Sequence, residues 1–169
     1  MRKSAFITIY KNFVLADIDA QTFKRVDGAL AAESDQVKNA LSSDSEEHLD
    51  GNILHRYIEK RDSMIRKRLA FCLEVDKDDL SVDNLLEKDV PTFEYRLMVP
   101  DVFDKQRLKI VARKIHEYLV QGTLCDWYAT QNMEGNVSAS ELEDIESEII
   151  CMLRTSHVKR PLQPFGPRN

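Results

Sequence analysis

The sequence predicts a mainly α fold, with one helical domain of three to four helices, a small β element and an extended carboxy-terminal arm. Apolar residues recur at steps of three and four over much of the chain, which is the spacing of one face of a helix. Strand signals are confined to two short stretches, and three of the five prolines stand in residues 161–169. These observations predict a single domain over residues 1–157 and an arm over residues 158–169.

The β element is predicted at two places in the chain. Residues 4–18 are rich in β-branched and aromatic side chains and are interrupted by the turn-prone pair Lys11 and Asn12, so that one long strand or a short hairpin fits. Residues 92–99 alternate apolar and polar side chains with a period of two, which indicates a strand with one buried face. Pro100 is expected to end this second strand.

Two long helices are predicted in the middle of the chain. The first covers residues 52–74, whose apolar side chains keep to one stripe. The second has Asp101 as its expected N-cap and Asp104 in its first turn, where a carboxylate meets the positive end of the helix dipole. It runs to about residue 131 and is apolar on more than one side, which is typical of the central helix of a fold.

Shorter helical signals flank these two helices. Ser138 and Glu141 form a capping-box pattern that predicts a last helix ending near residue 155. Residues 20–41 have a looser helical spacing that fits a helix, a broken helix or a segment ordered only by a partner. Residues 81–88 fit a short helix within an acidic connection.

Composition restricts the classes of function. With 29 acidic and 24 basic side chains the formal net charge is -5, which disfavours a general attraction to nucleic acid or to an anionic membrane. No apolar run approaches the roughly 20 residues of a membrane-spanning helix. The cysteines Cys72, Cys125 and Cys151 each lie in an apolar helical pattern, so we expect three buried thiols in a reducing, cytoplasmic compartment.

Patterns that would indicate catalysis or a metal site are incomplete. His116 and Glu117 resemble the start of a zinc-protease motif, but Val120 occupies the position of the second histidine. The acidic residues 76–83 lack the glycine and the oxygen ligand that a calcium loop needs. The five glycines are isolated, which excludes a glycine-rich phosphate loop. The sequence therefore predicts no enzyme activity, no cofactor, no metal and no small-molecule substrate.

Basic side chains are the most distinctive candidates for binding a partner. One interpretation is a solvated helix face with intrahelical ion pairs, and the other is contact with DNA phosphates or with an acidic neighbouring subunit. The helical members of the set are Arg56, Lys60, Arg61, Arg66, Lys67 and Arg68. The arm adds Lys159 and Arg160 together with the aromatic Phe165, a candidate anchor. Trp127 and Tyr128 are further candidate anchors, although for Trp127 a place in the core is favoured.

Three stretches of the chain resemble a group of small proteins encoded among the virion genes of phages and prophages of Bacteroides and their relatives. Within residues 93–128 these are YRLMVPDVFD and KIHEYLVQGTLCDWY, followed near the end by VKRPLQPF. Near the amino terminus, VLADIDAQTFKR is similar to the start of those proteins. The resemblance covers most of the carboxy-terminal half and contains no single diagnostic motif.

The resemblance implies a role as a virion structural protein, of the kind that serves as a head-tail connector or neck adaptor. It implies binding to the portal or to neighbouring subunits, homo-oligomer formation on assembly, and an arm that docks by its extended backbone and Phe165. Such a protein is expected in the host cytoplasm and then in the virion. The acidic net charge makes DNA contact secondary to subunit contact. The alternative is a DNA-binding or regulatory protein of a mobile element.

Overall fold

In the computed structural model, the protein is mainly helical with a small antiparallel sheet, as the sequence predicted. The structure describes residues 2–28, 51–74, 91–130 and 138–154, with side chains described from residue 2 to 22 and from residue 53 onward. In chain order the described elements are β1 (Arg2–Tyr10), α1 (Lys11–Gly28), α2 (Gly51–Leu69), β2 (Thr92–Pro100), α3 (Lys105–Thr130) and α4 (Ala139–Arg154).

The amino-terminal segment is a strand that ends at Tyr10 and is followed directly by a helix, so both alternatives for residues 4–18, one long strand and a short hairpin, are wrong beyond Tyr10. Lys11, expected in a turn, is the first residue of α1, and its amide donates to the Pro91 carbonyl at 2.9 Å. Val14, Ile18 and Thr22 are buried at steps of four along α1, which is helical and not strand periodicity. Residues 11–18 were misassigned because β-branched and aromatic residues favour strands locally, whereas burial of this face against the core favours the helix.

The sheet pairs β1 and β2 in antiparallel register, with Arg2 opposite Pro100 and Tyr10 opposite Thr92. The odd-numbered residues from Ile7 to Ile9 and from Phe93 to Val99 are buried, which confirms the predicted alternation of β2. The α2 helix ends at Leu69, five residues before the predicted end. The following residues instead form a bridge between Leu73 and Leu97 on the other side of β2.

Helix α3 is the centre of the molecule and packs against α1, α2, α4 and β1. Its N-cap is Asp104 and not Asp101, because the Asp104 Oδ1 atom accepts a hydrogen bond from the Arg107 amide at 2.7 Å. Trp127 is 1% exposed, so the prediction that it belongs to the core is confirmed, and Tyr128 is buried beside it. Neither aromatic is accessible as an interface anchor.

The predicted capping box begins α4. The Ser138 amide donates to Glu141 Oε2 at 2.7 Å, and the Glu141 amide donates to Ser138 Oγ at 3.3 Å. This reciprocal pair also lowers the pKa of Glu141, because the backbone and side chain of Ser138 donate to its carboxylate.

We expect Ser138→Ala to lower the free energy of unfolding by about 1 kcal/mol, because it leaves the Glu141 amide without its capping acceptor. Chemical denaturation followed by circular dichroism measures this loss. Ser140→Ala, two residues further along in the same exposed first turn, is the matched control and is expected to leave stability nearly unchanged. An equal loss in both variants would contradict the capping role.

The cysteines form no disulfide. Cys72 is buried, as predicted, whereas Cys125 is half-buried and Cys151 is exposed, so the prediction of three buried thiols is wrong for Cys151. Cys151 lies on the outer face of the amphipathic helix α4, away from the buried stripe that includes Ile149 and Leu153. The predictions for residues 29–41, for the acidic connection and for the arm lie outside the described residues.

Candidate functional site

Three basic side chains of α2 pair with carboxylates of the neighbouring helices: Lys60, Arg61 and Arg68. Arg61 forms two hydrogen bonds with Asp126 of α3, from Nε to Oδ2 and from Nη2 to Oδ1, each at 2.8 Å. Lys60 adds a contact of 3.1 Å from Nζ to Oδ1 of the same carboxylate. Because the side chains of Arg61 and Asp126 are only 11% and 14% exposed, this is a largely buried, bidentate ion pair.

A glycine makes room for the Arg61 side chain. A Cβ atom at Gly122 would lie 2.7 Å from Arg61 Cδ and 2.9 Å from its Nε, closer than atoms can pack. Burial alone would lower the pKa of the Arg61 guanidinium, but the hydrogen bonds and charge of Asp126 outweigh burial, so the pKa lies above its usual value. Tyr118 also contacts this guanidinium, and burial raises the pKa of that phenol.

A second buried polar group joins α2 to the sheet. The Tyr95 hydroxyl donates to Asp62 Oδ1, and Arg66 Nε donates to Asp62 Oδ2 at 2.6 Å. The Arg66 guanidinium also lies over the Tyr95 ring, 4.6 Å from its centroid. Burial, reinforced by the negative charge of Asp62, raises the pKa of Tyr95 well above its usual value.

The remaining members of the basic set differ in their surroundings. Arg68 forms an ion pair with Glu146, a buried residue of α4. Arg56 and Lys67 are exposed, and neither forms an ion pair with any residue that the structure describes. Lys159, Arg160 and Phe165 lie outside the described residues. Four of the six helical cations are therefore engaged with carboxylates, and only the Arg66 pair with Asp62 is intrahelical.

Two buried groups, the Cys72 thiol and the Tyr95 hydroxyl, predict a loss of stability at alkaline pH. Burial raises the pKa of the Cys72 thiol from 9.0 to about 11, and the pKa of Tyr95 is raised above 10. Both groups stay neutral in the folded protein at a pH where the unfolded chain ionises them, so rising pH favours unfolding. We expect the free energy of unfolding to fall between about pH 9 and pH 11.

Urea denaturation under reducing conditions at several pH values in this window measures that fall. Cys72→Ala is expected to have a shallower dependence on pH than the wild type, because its side chain has no proton to release. Equal slopes for the two proteins would show that the thiol does not contribute.

One edge of the sheet is open. Met98 donates its amide to the Cys72 carbonyl at 2.7 Å, and the Glu74 amide donates to the Arg96 carbonyl at 2.9 Å, so β2 is bonded on both sides. Because backbone groups alternate in direction along a strand, the even-numbered residues of β2 face residues 72–74 and its odd-numbered residues face β1. The amides and carbonyls of Ser4, Phe6 and Thr8 therefore point away from β2, and none of them bonds to a described residue.

An apolar groove lies beside this open edge. It is shallow, has a volume of about 440 Å³ and is lined by Thr8, Ile9, Tyr10, Phe13, Ala112, Arg113 and His116. Tyr10 and Phe13 are 51% and 60% exposed and pack edge to face, with ring centroids 5.8 Å apart. His116 contacts Asp17 of α1 at 2.7 Å, which joins the helices on the far wall of the groove. An exposed aromatic pair next to unpaired backbone groups is suited to holding an extended peptide.

From the sequence alone, this edge was not predicted to be a binding surface. The available signal is that β1 is apolar on both faces, with Phe6 and Tyr10 exposed opposite the buried Ile7 and Ile9. A strand that covers one core on one side needs apolar residues on one face only. Phe6 is an aromatic residue that is 62% exposed, and it therefore indicates that β1 has a second contact surface besides the core.

The described residues contain neither a cluster suited to a metal ion nor a helix able to cross a membrane. No cluster of three or more histidine, cysteine, aspartate or glutamate side chains in that part of the chain could hold a metal ion. None of the helices in the same ranges combines the length and apolarity needed to cross a bilayer. Comparison of the chain with protein-family models, with curated proteins and with solved structures found no match.

Proposed function

We propose that this chain is a structural protein of a phage or prophage virion, a head-tail connector or neck adaptor that binds neighbouring subunits or the portal. The observation that carries the proposal is the open edge of β1 beside the exposed Tyr10 and Phe13 pair. Unpaired strand edges bind other polypeptides by adding a strand, and aromatic side chains next to the edge supply the apolar contact. The virion setting is supported by the sequence resemblance described above.

The arrangement of charge favours protein subunits over DNA as partners. Counterion release on DNA requires cations that can reach phosphates, but Arg61 is largely buried and shares Asp126 with Lys60. Arg66 and Arg68 are likewise paired with Asp62 and Glu146. Within the candidate set, the DNA-binding alternative keeps Arg56 and Lys67 as exposed side chains without an ion pair to a described residue, alongside the arm residues Lys159 and Arg160.

Deleting the gene from an inducible lysogen tests the proposed function. We expect the induced lysate to contain DNA-filled heads that lack tails in electron micrographs, and expression of the chain from a plasmid to restore tailed particles. The chain should also co-sediment with purified wild-type particles. Tailed, infectious particles from the deletion strain would overturn the proposal.

Two variants separate the proposed function from the DNA-binding alternative. Truncation after His157 removes the arm and is expected to abolish complementation, whereas Arg56→Ala with Lys67→Ala should complement fully. If the double variant failed, and if the purified wild-type chain retarded DNA at about 150 mM salt, the DNA-binding alternative would replace the adaptor proposal.

A further inference from the structure

The open edge of β1 is complementary to itself. In an antiparallel pair of two such edges, the outward-pointing backbone groups of one copy meet those of the other only when even-numbered residues stand opposite even-numbered residues. Of the registers that satisfy this condition, the one centred on Phe6 brings Arg2 opposite Tyr10 and aligns the whole length of both strands. Registers centred on Ala5 or Ile7 leave two residues of each strand without a partner, and those centred on Ser4 or Thr8 leave four.

The side chains fit the register centred on Phe6. On the exposed face, Phe6 meets Phe6 of the second copy at the two-fold axis, Thr8 meets Ser4, and Tyr10 meets Arg2. These are an aromatic pair, a hydroxyl pair and a cation beside an aromatic ring, three kinds of cross-strand pair that stabilise antiparallel sheets. On the other face, the small Ala5 stands opposite the larger Ile7 and Lys3 stands opposite Ile9, so the apolar contact beneath the new pairing comes from Ala5 and Ile7.

Beyond Arg2 and Lys3, the strand also lacks the features that keep edges apart. Soluble proteins protect open edges with prolines, with charges along the strand or with bulges. From Ser4 to Tyr10 the strand SAFITIY contains neither a proline nor a charged residue, and its pairing with β2 is continuous from Arg2 to Tyr10. A segment of this kind with Phe6 exposed is suited to pairing with another strand.

We infer that two copies of this chain pair through β1 in the register centred on Phe6, which forms a continuous antiparallel sheet across a two-fold axis. The partner of the β1 edge is thus a second copy of this chain, and the inference rests on the proposed function only for its biological setting. The pairing is a property of the purified chain and is tested without any virion component, so its outcome is separate from that of the gene deletion.

Disulfide crosslinking tests the register with a matched control on the same edge. In a Cys151→Ser background, Phe6→Cys places two thiols opposite each other, with Cα atoms about 5.5 Å apart, which a disulfide can bridge. Thr8→Cys is equally exposed, but its copies lie four residues out of register, about 13 Å apart along the strand. We expect mild oxidation to give at least about ten-fold more covalent dimer from Phe6→Cys than from Thr8→Cys.

Mixing the single variants completes the test. Chains with Ser4→Cys and chains with Thr8→Cys should crosslink to each other when mixed, although each alone remains mostly monomeric on a non-reducing gel. Sedimentation of the wild type should show a dimer that Phe6→Lys dissociates, because two like charges then meet at the axis. A wild type that stays monomeric at every concentration, or equal crosslinking of Phe6→Cys and Thr8→Cys, overturns the inference.

Discussion

Asp126→Ala is expected to lower the free energy of unfolding by about 3 to 5 kcal/mol, because it leaves the buried Arg61 guanidinium without its counter-charge. The Arg61 side chain is 11% exposed, so solvent cannot replace the two hydrogen bonds of 2.8 Å that the carboxylate accepts. The variant also releases Lys60, which is more exposed and contributes less. Chemical denaturation of the wild type and the variant measures the difference.

An exposed ion pair provides the matched control for this prediction. Lys114 contacts Glu148 at 2.9 Å between α3 and α4, but both side chains are more accessible, so Glu148→Ala should cost less than about 1 kcal/mol. The double variant Arg61→Met with Asp126→Ala should be more stable than Asp126→Ala alone, because it removes the buried, unpaired charge of the Arg61 guanidinium. A loss in Asp126→Ala no larger than that in Glu148→Ala would show that the Arg61 pair is solvated.

Gly122→Ala is expected to lower the free energy of unfolding by about 2 kcal/mol, although alanine is normally the better helix former. The new Cβ atom would lie 2.7 Å from Arg61 Cδ. The Arg61 side chain cannot easily move aside because Asp126 holds its guanidinium at the far end. The cost of the close contact therefore exceeds the gain in helix propensity.

The effect of Gly122→Ala on the free energy of unfolding should change sign when the Arg61 side chain is absent. In an Arg61→Ala background, Gly122→Ala meets none of the three atoms that crowd it in the wild type, and it should stabilise the protein by up to about 1 kcal/mol. Denaturation of the four proteins in this mutant cycle gives the interaction energy directly. The same loss in both backgrounds would mean that crowding comes from elsewhere in α3.

Local patterns were sufficient for the elements whose boundaries depend on local chemistry. The alternation of β2 and the Ser138 capping box each specify an element within a few residues, and both were predicted correctly. The end of α2 at Leu69 was missed because it depends on a distant partner, the bridge from Leu73 to Leu97. The start of α1 at Lys11 was missed for the same reason, since burial of one face overrides local strand propensity.

The sequence predicted less of the candidate site than of the fold. The basic run of α2 was apparent, but the carboxylates that neutralise Arg61 and Arg68 stand more than 60 residues away, at Asp126 and Glu146. Nothing in the local sequence assigns these pairs, so the run was interpreted either as a solvated face with intrahelical ion pairs or as a contact with DNA phosphates or an acidic neighbouring subunit. The open edge of β1 depends on which side of the strand β2 occupies, which only the tertiary structure provides.

The bonding of β2 on both sides leaves β1 as the one open edge of the described sheet, and a single edge has a capacity of one strand. Self-pairing and the addition of a strand from any other protein are then mutually exclusive. A heterologous partner must compete with the second copy, so its apparent affinity falls as the concentration of the free chain rises. Dilution would favour capture by the other protein, and a pool of paired chains would act as a reservoir that releases subunits as they are consumed.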